Sequence, residues 1–345
     1  MPDNLVKSVS DLLNEEKWTR ATLNSYSIAN FKELDDLIGE VRKADLDTEI
    51  RDLAEEHLKH SKNSIIGLYL AGIISLRRQQ VDDSHLVGLI NIFSDNHKWT
   101  IVEYLCQRIL EFGENKYALR TLADCYENEN EQPKKLEIWE RLIRVDYEEA
   151  DIVRHLAERS EREGNLEQAV DYYKKALHRY INKKMFSQVR DVWAKLLELS
   201  PADIDFYQRA EKKVASVLSG ERAATLLAAL YPIYVANGEW DTAIGLLKRL
   251  LAYDPRNGEA RTQIIECYRA KYSAHSQLEE YVRLSNLTQS WRNVHDAIAD
   301  FEKHISFDKG NFVHHRSWGI GRIRDIKDDV FIIDFAAKRD HRMSL

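Results

Sequence analysis

Three arginines and a tryptophan lie close together near the end of the chain: Arg316, Trp318, Arg322 and Arg324. Guanidinium groups grip carboxylates and phosphates through paired N–H donors. An indole adds a broad apolar surface that often anchors an interface. This grouping is chemistry for binding rather than for bond breaking. Trp318 admits two readings that do not exclude each other, an exposed anchor or the core of a very small barrel. The same residues could hold nucleic acid, with arginines on phosphate and the indole under a base. Charge balance favours a protein partner: residues 305–345 hold eight Lys/Arg against six Asp, leaving 42 against 51 in the rest of the chain. An acidic body is a poor platform for nucleic acid, because phosphate contacts supply most of that affinity.

Other candidate chemistry is sparse. His57 and His60 stand three apart on an expected helix, and His314 and His315 are adjacent. A metal site needs three or four ligands in a defined geometry, and nothing nearby completes either pair, so packing or solvated roles are expected and no metal. Cys106, Cys125 and Cys267 are odd in number and far apart, which signals neither a disulfide framework nor a zinc site. Asp328 and Asp329, between two strand-like runs, read as a hairpin turn. Gly319-Ile-Gly321 lacks the strand–helix context of a phosphate loop and reads as a strand bend. No P-loop, nucleophile elbow or HExxH is present. Neither a catalytic residue nor a cofactor is expected, and the chain reads as a non-enzyme.

What must position the arginine group is a long helical body. The 345 residues include only five prolines and thirteen glycines, which argues for long helices, and the length suits two or three domains or one array. No apolar run reaches the roughly 18 residues that a membrane helix requires, and the start lacks the pattern of a secretory signal, so a cytoplasmic protein with no membrane partner is expected. The body repeats. Leu122-Ala123 matches Leu156-Ala157, Asn130 matches Gly164 and Trp139 matches Tyr173, each 34 residues on. Asn96 and Leu105 fill the same slots one step earlier. That period is the helix–turn–helix unit of tetratricopeptide repeats. The clearest unit carries Ala157, Gly164, Ala169, Tyr173 and Ala176, and a second carries Tyr231, Gly238, Ala243, Leu247 and Pro255. Gly238 should end one helix, and Pro255 cannot continue the helix behind it. The register slips between Ala169 and Val189, in like slots only 20 residues apart. Cys125-Tyr126 and Cys267-Tyr268 are equivalent and should be packing residues, as should Trp139 and Trp193.

The expected fold is mostly α: an N-terminal helical lobe over 1–61, an α-solenoid of tetratricopeptide-like hairpins over 62–304, and a small β module over 310–345. SIIGLYLAGIISL (64–76) reads as a buried helix. In the module, Phe312-Val313, Ile320, Ile323 and Ile326 form an apolar series, Val330–Phe335 a strong strand, and His341–Leu345 a final short strand. Four or five strands would make an SH3- or Tudor-like barrel. So few residues are marginal alone, so packing on the last helices (Trp291–His304) is expected. Stacked repeats present a groove for a protein partner.

HHRSWGIGRI…FIIDF…HRMSL is similar to a small module of certain long-form bacterial Gre transcript-cleavage factors. It also looks distantly like the Tudor-like tails of some repair helicases and the polymerase-interacting domain of CarD-type regulators. LLNEEKWTRATLNSYSIANFKELDDLI (12–38) resembles the start of the same long Gre factors, whose tetratricopeptide-like extension precedes the Gre portion. The resemblance implies association with bacterial RNA polymerase, with Arg316, Trp318, Arg322 and Arg324 as contact candidates. Gre factors act through a coiled coil with an acidic tip and a C-terminal globular domain, and neither pattern occurs before Leu345. The resemblance therefore implies an N-terminal region of a longer protein and carries no transcript cleavage with it; the alternatives are a nucleic-acid-binding β tail on a helical scaffold and a generic tetratricopeptide adaptor unrelated to transcription.

Overall fold

The computed structural model describes residues 2–16, 20–77, 80–81, 84–327 and 330–344. It is a helical solenoid with a small antiparallel sheet at its C-terminal end. The chain divides into two compact units, Met1–Ile152 and Val153–Leu345.

Helix-to-helix turns are where the repeat becomes physical. Asp45, His97, Asn130, Gly164, Lys184 and Gly238 all adopt the left-handed backbone conformation. After each, the next N–H reaches back to a carbonyl five residues earlier: Leu46 to Val41, Lys98 to Phe93, Glu131 to Tyr126, Asn165 to Ser160, Met185 to Tyr180, Glu239 to Tyr234. This is the Schellman closure, which satisfies helix-end carbonyls and reverses the chain. Asn130, Gly164 and Gly238 were legible turn residues. The earliest member of the Asn96 series falls one residue later, on His97. The register slip also has a cause. Lys184 repeats the Gly164 turn 20 residues on, so the helix Leu166–Asn182 closes with a tight turn at each end and the helix Phe186–Leu199 follows directly. In the second unit, the helix Leu166–Asn182 also touches Ile204–Val217, and Phe186–Leu199 touches Gly220–Ala236. Contact with the next helix but one is what makes stacked hairpins a solenoid.

In the first unit one apolar core runs from Val9 to Leu142, across residue 61. Ile65–Ser75 is the buried helix expected, covered from Ile65 to Ile74, next to two short paired strands, β1 (Leu76–Arg77) and β2 (Gln80–Val81). Its exposed amides at the N-terminus receive a carboxylate from far away. Glu16 accepts from Ile65 N (3.0 Å) and Ile66 N (3.3 Å) and from the Ser64 hydroxyl, which suits the partial positive charge of that terminus. Asp35, on the helix Ile28–Lys43, takes hydrogen bonds from Tyr69 Oη (2.8 Å), Arg108 Nη2 (2.9 Å) and the Tyr104 hydroxyl. Burial and this bond push the Tyr104 phenol up to about 12.

Among its described residues the second unit holds two buried charges. Glu211, fully buried, forms an ion pair with Arg249. Arg261, 6% exposed, donates five hydrogen bonds to main-chain carbonyls: Nε and Nη2 to Pro255 (3.0 and 2.9 Å), Nη1 to Leu287 (3.2 Å) and Gln289 (2.8 Å), and Nη2 to Arg292 (3.2 Å). It thereby holds residues 287–292 to the helix Gly258–Lys271. Cys125, Tyr126, Trp193, Cys267 and Tyr268 are all buried, and Trp139 is partly so against the first unit's core.

Candidate docking surface

Four strands follow the last helix, Val294–His304. They are β3 (Phe312–His315), β4 (Gly319–Lys327), β5 (Val330–Phe335) and β6 (His341–Ser344), paired in chain order as an antiparallel meander. Lys327 pairs with Val330; Asp328 and Asp329, read as the turn between them, lie outside the described residues, as does Leu345.

Strand alternation sorts the side chains onto two faces. The inner face carries Ile323, Ile326, Phe331, Ile333 and Phe335, with Val313, Trp318 and Met343 against them. Ile323 and Ile326 are three apart, a spacing that puts residues on opposite faces. A bulge between Ile323 and Asp325 adds one residue to β4 and brings both inward. Gly321 lies directly under Phe335: a Cβ there would stand 2.5 Å from that ring. Gly319, at φ +71°, opens β4 after the β3–β4 turn. Phe307, in the segment after the last helix, adds its ring 5.4 Å from Phe331, and its carbonyl accepts from Tyr281 Oη at 3.2 Å. Lys309 pairs with Asp325 at 2.6 Å and holds that carboxyl below the usual carboxylate range. The aromatic joining body and module is therefore Phe307. Trp291 is 71% exposed.

The four candidate residues separate. Trp318 is half-buried on the inner face, with Lys338 Nζ 4.8 Å from its ring centre and the His341 ring at 5.8 Å. Loss of solvation, then Lys338 and His315, holds His341 below the usual histidine range. Arg316 is exposed in the β3–β4 turn, and Arg322 and Arg324 are exposed on β4. Arg324 pairs with Asp340, whose backbone N–H donates to Asp334 at 2.9 Å. Arg322 donates from Nε to the Gly310 carbonyl at 3.3 Å. The histidine pair splits as well: His315 rings with Phe335 and His341, while His314 is exposed.

Two members of the apolar series lie outside the core. Phe312 is 73% exposed and Ile320 67% exposed. Phe312 stands opposite Arg322, and Ile320 opposite His314, so both share the outer face. Parity was the available signal: Ile320 is two residues from Arg322 and must face the same way.

No family model matches the chain. Two curated relatives do. A protein described by its GreA-associated domains, from Treponema pallidum (strain Nichols), is 51% identical over 324 residues, 94% of this chain and 49% of the relative. A transcription elongation factor GreA of Borreliella burgdorferi is 37% identical over 336 residues, 97% of this chain and 37% of the relative. The chain is thus similar to Gre-named proteins along nearly all of its length, and it spans half or less of theirs. Solved structures that align include MamA (14% identical, TM-score 0.25, covering 56% of this chain and 94% of that one). Another is the C-terminal part of a TPR repeat-containing protein from Cytophaga hutchinsonii (14%, TM-score 0.23, 67% and 97%). The solenoid described above rests on its own turns and contacts. Among the described residues no helix is long and apolar enough to cross a membrane.

Proposed function

We propose that the chain is the interaction region of a Gre-type transcription elongation factor, a non-catalytic cytoplasmic scaffold that associates with bacterial RNA polymerase. The observation that supports this most is the similarity to a GreA-associated protein and a GreA factor over 94% and 97% of the chain. In this reading the solenoid holds a protein partner. One candidate surface is the charged groove of about 610 Å³ lined by Arg154, Glu161, Tyr173 and Lys195. The sheet, over residues 310–345, is an SH3- or Tudor-like module that docks on the polymerase, with Arg316, Trp318, Arg322 and Arg324 among its candidate contacts.

The test is co-purification of the full chain with core RNA polymerase, alongside a transcript-cleavage assay on stalled elongation complexes. Stable association without stimulated cleavage is expected. Failure to associate overturns the polymerase reading, and stimulated cleavage overturns the non-catalytic one.

A further inference from the structure

We infer that the outer face of the β3–β4 pair docks on a protein surface made of an apolar patch rimmed by carboxylates, with Phe312 and Ile320 as anchors and Arg316 and Arg322 as ion partners. The inference rests on the polymerase-docking reading and narrows it to one face and one kind of partner surface.

Phe312 is opposite Arg322, and Ile320 is two residues before Arg322 on the same strand. The two apolar side chains are therefore diagonal neighbours, close enough to form one patch. The module already has its own core on the other face, so this pair contributes nothing to it. Large apolar side chains left together in water forgo the main driving force of folding, and such a patch with a polar rim marks an interaction site.

The charge beside the patch is positive and available. Among the described residues, neither Arg316 nor Arg322 has a carboxylate ion pair, and the Arg322 bond is to a carbonyl. The nearby acids are already engaged: Asp340 with Arg324, and Asp334 with the Asp340 N–H. Complementarity to this arrangement is apolar in the centre and acidic at the edge. A nucleic acid fits less well. Ile320, at the centre of the patch, offers no ring on which a base could stack.

The experiment uses the full chain and purified core RNA polymerase, with affinity measured at low and high salt. Four proteins are compared: the unaltered chain, Phe312→Ser with Ile320→Ser, Ile320→Lys alone, and Arg316→Gln with Arg322→Gln. Thermal melts of each follow folding. The double serine variant should bind about tenfold more weakly or worse at both salt concentrations. The double glutamine variant should weaken mainly at low salt, where charge steering acts. Ile320→Lys places a charge at an exposed position without touching the core, so its loss of binding reads the face even if the double serine variant melts early. Unaltered affinity in Ile320→Lys and in the double serine variant overturns this face while leaving the scaffold reading intact. No binding by the unaltered chain overturns both. A short DNA duplex that displaces the polymerase from the unaltered chain, and binds it with a steep salt dependence, overturns the choice of a protein partner.

Discussion

Arg261 offers the sharpest quantitative prediction. Replacing it with methionine keeps an unbranched apolar stem about as far as Nε but removes five charge-assisted hydrogen bonds to four carbonyls. Not every carbonyl is stranded by the change. Pro255 and Gln289 are exposed residues, and their carbonyls can take water after a small local opening. Leu287 is buried, so its carbonyl stays dry, and Arg292 is intermediate. A buried acceptor without its donor costs about 1–3 kcal/mol. Losing the bonds to the two solvated carbonyls costs less, and relief from burying a guanidinium offsets part of the total. The balance is a loss of about 2–4 kcal/mol, which corresponds to a fall in Tm of about 5–12 °C for a unit of this size. Arg261→Lys should recover less than half, since one ammonium cannot span four carbonyls. Urea denaturation gives the free energy, and hydrogen exchange locates it, with faster exchange expected at residues 286–293. A loss below about 1 kcal/mol with exchange unchanged in that segment would refute the clamp.

Other expectations follow from the same structure. Lys184→Gly should stabilise the second unit by about 0.5–1 kcal/mol, because lysine sits in a left-handed turn that glycine adopts without strain, while Gly238→Ala should cost about 1–2 kcal/mol; paired melts decide both. Arg249→Met should cost about 3–5 kcal/mol at neutral pH by leaving buried Glu211 without its cation. Urea denaturation of the variant against the unaltered chain measures that loss. The Asp325 carboxyl is depressed by Lys309, so their contact stabilises the module above the ordinary aspartate pKa and is lost as pH falls through the lowered one. Asp325→Asn should remove that acid limb from a fluorescence titration of the sheet.

The legible parts of this fold were those whose cause is local. Gly164 and Gly238 advertise a left-handed turn, because glycine is the residue that takes that conformation freely. His97 and Lys184 make the same turn without advertising it, so the shortened step had a visible period and no visible cause. The strand Val330–Phe335 and the buried helix at 65–75 announced themselves by composition. Long-range polar contacts did not: the acceptors of Arg261 are main-chain carbonyls, which no residue type marks, and Glu16 caps a helix 49 residues away. At the candidate site the arginines were found by type. Their separation from Trp318 follows from the turn, because Trp318 precedes β4 and the left-handed Gly319 intervenes, and the inward turn of Ile326 from a bulge. Phe312 and Ile320 join the apolar series by residue type, and only the two-residue period of a strand separates them from Ile323.

Phe307 belongs to the connection after the last helix by position and to the sheet by its ring, and this has a mechanical meaning. Its side chain completes the small core, and its carbonyl is tied to Tyr281 on the helix Leu278–Ser285. A fragment cut at Gly310 would leave that core open and lose Lys309 with it. The cooperative boundary therefore lies several residues before the strands begin, in the connection that follows the last helix. A load applied to the sheet by a bound partner would pass through the Phe307 ring and the Tyr281 hydroxyl, alongside the Ser276–Asp308 bond and the chain itself, into the last helices, so that loosening Tyr281 should soften the module without altering any residue of the sheet.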